Sequence, residues 1–357
     1  MTKLDQLEKL KKFNQGRVAD SFLLLPEQLM VGWLMGQAVS LPASWRSIGG
    51  VVCCGMGGSN LASELVYGVY GPQIKVPFFL VRDYNLPAFV GPDTLVIISS
   101  YSGDTEEPLF CLRLALKAKA KIICLTAGGQ LLSASHKHHL PLYLIDQKYN
   151  PSGQPRYGLG LQLGLLLAAL SKLKLIKVNL SEIKAASEQG AILNSWWRLE
   201  VASKNNLAKA LAQQLFGRLP VIVGADLSTA NAHILANQLQ ESAKNLALNF
   251  PLPELNHHLL DGLLLPPAVS AKIKFLFFHY QTANQELKKR FAFTQAVLRQ
   301  QGLEFIDYAI SGPERLSAAW EFLVLGSWVS FYLAVLNGQR PEKIFWTQRF
   351  KTLLRKK

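Results

Sequence analysis

The chain has 357 residues, 49% of them hydrophobic and 17% charged, with a formal net charge of +14. That length exceeds one comfortable core and predicts two domains of roughly 150 residues each, while the composition excludes a disordered chain. The basic residues are spread out, apart from an early cluster at Lys9, Lys11 and Lys12 and a later one from Lys343 to Lys357. This reads as solvated helix faces first and affinity for small anionic substrates second, not as a nucleic-acid surface.

The first 45 residues read as N-terminal helices, with apolar residues at Leu4, Leu7, Leu10 and Phe13. The opening stretch Met1–Lys9 is charged and amphipathic and lacks a signal-peptide core. Strands and helices then alternate: strand Val51–Cys54, helix Ser59–Tyr70, strand Phe78–Val81, strand Leu95–Ser99, helix Glu106–Ala118, strand Ile122–Thr126 and a short strand Leu142–Ile145. Strands separated by helices of this length predict a parallel sheet covered on both faces, forming a first domain over 46–155. The break Asn150-Pro151-Ser152-Gly153-Gln154-Pro155 closes it.

Linking helices are expected over 156–206: an apolar one from Tyr157 to Leu173 and a polar one from Ser181 to Asn206. The apolar stretch Leu159 to Leu170 is interrupted by Gly160, Gln162 and Gly164 and is too short to span a bilayer. A second domain over 207–340 follows. Its expected elements are strand Val221–Gly224, helix Thr229–Leu246, a loop holding Pro251, Pro253 and Asn256, strand Ile273–Phe278, helix Glu286–Gln301, strand Phe305–Tyr308 and helix Pro313–Leu336. Asn337-Gly338 stops that last helix, and 341–357 form a C-terminal helix or tail. Cys53, Cys54, Cys111 and Cys124 all stand in apolar contexts, so reduced, buried thiols in a soluble cytoplasmic protein are expected.

Two strand–loop–helix junctions carry the chemistry. The first strand runs into Gly55-Met56-Gly57-Gly58-Ser59, and the strand ending at Ile98 runs into Ser99-Ser100-Tyr101-Ser102-Gly103-Asp104-Thr105. Hydroxyls and helix-start amides at the end of a buried strand make a site for phosphate. Two such loops about 45 residues apart suggest neighbouring strands of one sheet sharing one ligand. The first loop is not a dinucleotide fingerprint, because Asn60 stands where the third glycine belongs and no acidic residue follows at the required distance.

Read as residues alone, Glu241 is a solvated helix carboxylate, His257-His258 an exposed turn, Arg156 a helix cap and Lys351 one member of a basic tail with Arg349, Arg355, Lys356 and Lys357. A metal at His257-His258, or at His136, His138 and His139, is not expected: adjacent histidines point apart, and no carboxylate completes a ligand set.

A resemblance sharpens these readings. Gly55–Ser59 and Ser100-Tyr101-Ser102-Gly103-Asp104-Thr105-Glu106-Glu107 look like the paired signatures of sugar isomerase (SIS) domains. With Pro151–Arg156, Glu241-Ser242-Ala243-Lys244 and Pro253–His257, they resemble the bifunctional phosphoglucose/phosphomannose isomerase family over roughly residues 45–355. The resemblance implies two αβα SIS domains of flavodoxin-like, parallel-sheet type. It implies isomerisation of glucose 6-phosphate and fructose 6-phosphate, and of mannose 6-phosphate, through a cis-enediolate, as in glycolysis and gluconeogenesis. No cofactor, metal, nucleic acid or membrane is implied.

By the same resemblance, Gly57, Gly58, Ser59, Ser100, Ser102 and Thr105 would hold the phosphate and Arg156 would stabilise the enediolate. Glu241 would move the proton, His257 would open the sugar ring from the partner subunit of a dimer, and Lys351 would assist through the ring oxygen. The chain departs from the family's usual pattern at Asn60, at Asp104 and at His258-Leu259-Leu260-Asp261. The competing class is a non-catalytic SIS sugar-phosphate sensor, which would need only the serine loops. Residues 1–45 show no helix-turn-helix followed by a linker to go with it.

Overall fold

The computed structural model describes residues 3–45, 47–280 and 284–354. Of the basic tail, Arg355, Lys356 and Lys357 lie outside the described residues, as do Met1, Thr2 and Arg46 of the expected N-terminal and first-domain segments. Helices α1 (Leu7–Phe13), α2 (Val18–Leu23) and α3 (Leu25–Ala38) open the chain. There follow β1 (Gly50–Cys54), α4 (Gly58–Tyr70), β2 (Phe78–Val81), β3 (Thr94–Ser99), α5 (Glu106–Lys117), β4 (Lys121–Thr126), α6 (Gly129–Lys137) and β5 (Leu142–Leu144). Helices α7 (Leu159–Lys172), α8 (Leu180–Trp197) and α9 (Leu207–Leu215) lead to a second alternation. It comprises β6 (Leu219–Ala225), α10 (Ser228–Glu241), β7 (Leu248–Leu252), α11 (Pro267–Ser270), β8 (Ile273–Tyr280), α12 (Gln285–Gln300) and β9 (Phe305–Ile310), and the chain continues through α13 (Arg315–Leu336) and α14 (Phe345–Leu354).

Both sheets are wholly parallel. The first has the order β2-β1-β3-β4-β5 and the second β7-β6-β8-β9. Counted within its own sheet, each begins second–first–third–fourth, the flavodoxin-like winding expected from the sequence. The central strands β1 and β3 are buried along their whole length, because runs such as Val51–Cys54 and Leu95–Ile98 offer apolar side chains to helices on both faces. They pair side by side, Val51 opposite Leu95 and Cys54 opposite Ile98, so their C-terminal loops emerge together.

The chain gathers into two compact units. The first comprises Leu24–Ala191 with Glu314–Ala319 and carries the five-stranded sheet; the second holds the segment up to Leu23, Ile192–Pro313 and the chain from Trp320 onward. Within the first unit α3 and α7 lie so close that only glycines fit at the crossing. A Cβ on Gly32 would stand 2.5 Å from the Leu161 carbonyl oxygen, and one on Gly164 within 2.6 Å of the Trp33 amide nitrogen. Gly160 and Gly164, which interrupt the apolar run, are therefore packing positions.

In the second unit, three differences from the sequence reading have local causes. The helix expected to reach Leu246 ends at Glu241, where Lys244 turns into the left-handed region (φ 52°) and its Nζ donates to the carbonyls of Glu241 and Ser242. The loop expected around Pro251 contains β7, an edge strand in which proline is tolerated. The polar helix expected to reach Asn206 ends at Trp197, whose carbonyl accepts from the Asn206 side chain. Helix α13 is long and apolar enough to cross a membrane by length and composition alone, but 94% of its most apolar window is buried in the fold. There Trp328 stacks on Tyr332 and meets the edge of Phe22.

Candidate active site

In the first unit, the candidate phosphate-binding residues lie at the C-terminal ends of β1 and β3. Neither α4 nor α5, the helices that start there, has a side-chain cap on its first turn. At α4 the Ser59 and Asn60 amides turn back to the Met56 and Gly57 carbonyls, so the pull on an anion at these two neighbouring helix starts comes chiefly from the helix dipoles. Gly57 takes φ 49° to turn the strand into the helix. Gly58 lets the Pro155–Tyr157 turn lie against that start, because a Cβ there would stand 2.9 Å from the Arg156 amide nitrogen.

The loops are tied to one another by their own hydroxyls. Ser99 Oγ donates to the Ser59 carbonyl (2.6 Å), and the Tyr101 amide donates to Ser59 Oγ (3.0 Å). Ser59 therefore receives one hydrogen bond and keeps its own proton for an acceptor. Ser100 is fully buried: its Oγ accepts from the amides of Gly103 and Thr105 and lies 3.0 Å from Thr105 Oγ1, to which it donates. That relay leaves the Thr105 hydroxyl with a proton to give. Ser102 is exposed, and its Oγ accepts from the Asp104 amide.

Two residues not singled out from the sequence join these loops to Arg156. Tyr101 Oη accepts from Asn150 Nδ2 (2.8 Å), which also donates to the Gln154 carbonyl. Burial pushes the Tyr101 phenol above its ordinary pKa, so it stays neutral in this role. Arg156 is 3% exposed; its Nη1 donates to Gln154 Oε1 (3.1 Å) and its guanidinium stacks 4.5 Å from the Tyr157 ring centre. Asp104, a departure from the usual pattern, turns its carboxylate to the start of α6, where Oδ1 accepts from the Gln130 amide (3.1 Å). The structure thus gathers Gly57, Gly58, Ser59, Ser100, Ser102, Thr105 and Arg156 at the C-terminal ends of β1 and β3.

The second unit holds the remaining candidates. Glu241 is the last residue of α10 and half-buried. Lys244, three residues on, also donates to the Arg340 carbonyl (2.7 Å), so the segment leading into α14 passes this helix end. Lys351 lies in α14 with an exposed side chain. His257 ends the 3₁₀ turn Glu254–His257 that follows β7, and it is exposed beside a cavity of about 360 Å³ lined by Asn256, Glu286, Lys289, Arg290 and Phe293.

Because α10 runs back along the parallel pair β6–β7, its end lies at the N-terminal edge of the sheet, whereas His257 follows the C-terminal end of β7. A strand length, about 15–20 Å, separates the two edges. One copy of this unit therefore does not bring Glu241 and His257 together.

Residues 204–354 match the family model of the bacterial phospho-glucose isomerase C-terminal SIS domain. A bifunctional phosphoglucose/phosphomannose isomerase of Caldicellulosiruptor bescii is 32% identical over 91% of this chain and 95% of its own length. The chain belongs to that family. A second member, from Aquifex aeolicus, is 29% identical over 86% of this chain and 91% of its own. In fold, the chain is similar to a hypothetical protein of Thermus thermophilus (TM-score 0.76, 16% identity, 98% of this chain and 93% of that one). The two parallel sheets are those of tandem SIS domains.

Proposed function

We propose that this isomerase interconverts glucose 6-phosphate and fructose 6-phosphate, and takes mannose 6-phosphate through the same enediolate. The observation that carries the reading is the linked pair of loops in the first unit: two helix starts without a side-chain cap, hydroxyls with protons to give, and a buried guanidinium fixed by Gln154 and Tyr157. Binding energy from a phosphate remote from the reacting carbons can position them. Arg156 then faces the developing enediolate charge with a planar, fixed guanidinium. Moving a proton between C2 and C1 requires one carboxylate on one face of a cis-enediol, and Glu241 is the residue assigned. The reaction transfers a proton and needs neither redox chemistry nor a metal. The relatives from Caldicellulosiruptor bescii and Aquifex aeolicus are named as isomerases, which supports the enzyme over a non-catalytic sensor.

His257 is assigned to ring opening and Lys351 to assisting at the ring oxygen. The strand-length separation of Glu241 from His257 supports a homodimer in which each copy lends its histidine to the other. Glu241→Gln keeps the shape of the base and removes its basicity. It is expected to lower turnover about 10²–10⁴-fold while leaving fructose 6-phosphate binding nearly unchanged. Wild-type protein should exchange the C1 or C2 proton of the sugar with solvent deuterium by NMR. Binding without exchange would leave only the sensor. Mixing inactive Glu241→Gln with inactive His257→Ala subunits should restore activity in hybrid dimers, and no recovery despite subunit exchange would remove the shared site.

A further inference from the structure

The ring of His257 is exposed, so burial does not hold it. Its mount is nonetheless tightly built. Leu255, two residues before it, is 1% exposed and packs in one cluster with Phe291 and Leu298 of α12. Asn256, immediately before it, donates from Nδ2 to Thr294 Oγ1 at 2.7 Å. Thr294 is fully buried, and its hydroxyl donates to the Arg290 carbonyl at 2.7 Å. With its proton spent on that carbonyl, the hydroxyl offers Asn256 only a lone pair. The Asn256 carboxamide is thereby oriented: nitrogen toward Thr294, and oxygen toward Arg290, whose Nη1 stands 3.5 Å from Oδ1 and can only donate. The turn is closed by its own Asn256 amide bond to the Pro253 carbonyl at 3.1 Å. Both residues preceding the histidine are thus fastened to one helix, which also supplies Arg290, Lys289 and Phe293 to the cavity His257 borders.

We propose that Thr294 and Arg290, acting through Asn256, are positioning residues for His257 in sugar-ring opening. The inference rests on the assignment of ring opening to His257 made above. A reacting group displaced by about 1 Å can lose about 10²-fold in rate, and a turn that loses its side-chain tie to α12 lets the exposed imidazole shift.

The step can be read alone in a Glu241→Gln background, where proton transfer is stopped and the enzyme can still open and reclose the ring. The readout is interconversion of the α and β anomers of glucose 6-phosphate at saturation, followed by exchange NMR. Thr294→Val preserves shape and removes the lone pair; it should slow anomer interconversion about 10²-fold, whereas Thr294→Ser should retain the parental rate. Asn256→Ala, at a half-buried site, should reproduce the loss and serves if Thr294→Val fails to fold. A Thr294→Val or Asn256→Ala protein that keeps the parental rate overturns the proposal. So does a Thr294→Ser protein as slow as the valine variant, because the hydroxyl would then not be what matters. His257→Ala separates the two levels: if it leaves anomer interconversion intact, the ring-opening assignment itself fails and the positioning role falls with it.

Discussion

The two sheets share a winding, yet their crevices differ in what a serine hydroxyl has left to offer. In the first, Ser59 Oγ accepts from the Tyr101 amide and keeps its proton. In the second, Ser228 occupies the corresponding first turn after the first-wound strand, and there its Oγ accepts from the Ala225 amide and donates to the carbonyls of Ala225 and Phe278. It is fully buried and has nothing left to give. The glycines differ in the same way. A Cβ on Gly58 would strike the turn that carries Arg156, whereas one on Gly224 would strike the Ser228 carbonyl oxygen of its own junction at 2.5 Å. One junction leaves a hydroxyl proton unspent and the other closes on itself, so parallel-sheet topology marks where a site can form but not whether it does.

Matched substitutions test this contrast. The largest difference is expected at the glycines. Gly58→Ala should displace the Pro155–Tyr157 turn and lower kcat/KM about 10²-fold or more. Gly224→Ala should cost about 1–3 kcal/mol of stability by overpacking and leave the sugar-phosphate Kd of the folded protein unchanged. Equal losses of affinity in calorimetry would mean that the second crevice also bears ligand.

A smaller difference is expected at the serines. Ser59→Ala should weaken fructose 6-phosphate binding about 10–100-fold, the worth of one hydrogen bond to a charged group. Ser228→Ala strands a buried amide and should lower stability by about 1–3 kcal/mol without changing affinity. If denaturant titration shows Ser228→Ala as stable as wild type, the closed junction has been misread.

What the sequence made legible followed the strength of local signals. Strands β1 and β3 are unbroken apolar runs, and the hydroxyl loops after them carry a compact signature, so both were readable. Strand β7, Leu248–Leu252, alternates Leu248, Phe250 and Leu252 with Asn249 and Pro251, but it is five residues long and its proline reads as a loop signal; its place at the sheet edge permits it. Helix α6 buries just Leu131 and Ser135, too little to leave a periodic trace. The link from Tyr101 to Asn150 was hidden for a different reason. It joins residues 49 positions apart, and no local pattern announces which amide a buried phenol will meet. Asp104 likewise becomes intelligible only when the start of α6 is found opposite it.

The glycine-tight crossing of α3 with α7 also sets a timetable for synthesis. Helix α3 is made about 130 residues before the partner that covers its glycine face, and at 5–20 residues per second it waits roughly 7–26 s with that face unpaired. The first unit then takes its last piece, Glu314–Ala319, only when most of the chain has been made. Arg315 completes the end of α4 by donating to the carbonyls of Gly68 and Val69 (both 2.8 Å). The hydroxyl loops after β1 and β3 are encoded within the first half of the gene, but the unit that bears them is finished by its last tenth or so. A ribosome stalled after β5 would therefore present the loops on a scaffold still missing α7 and that late cap.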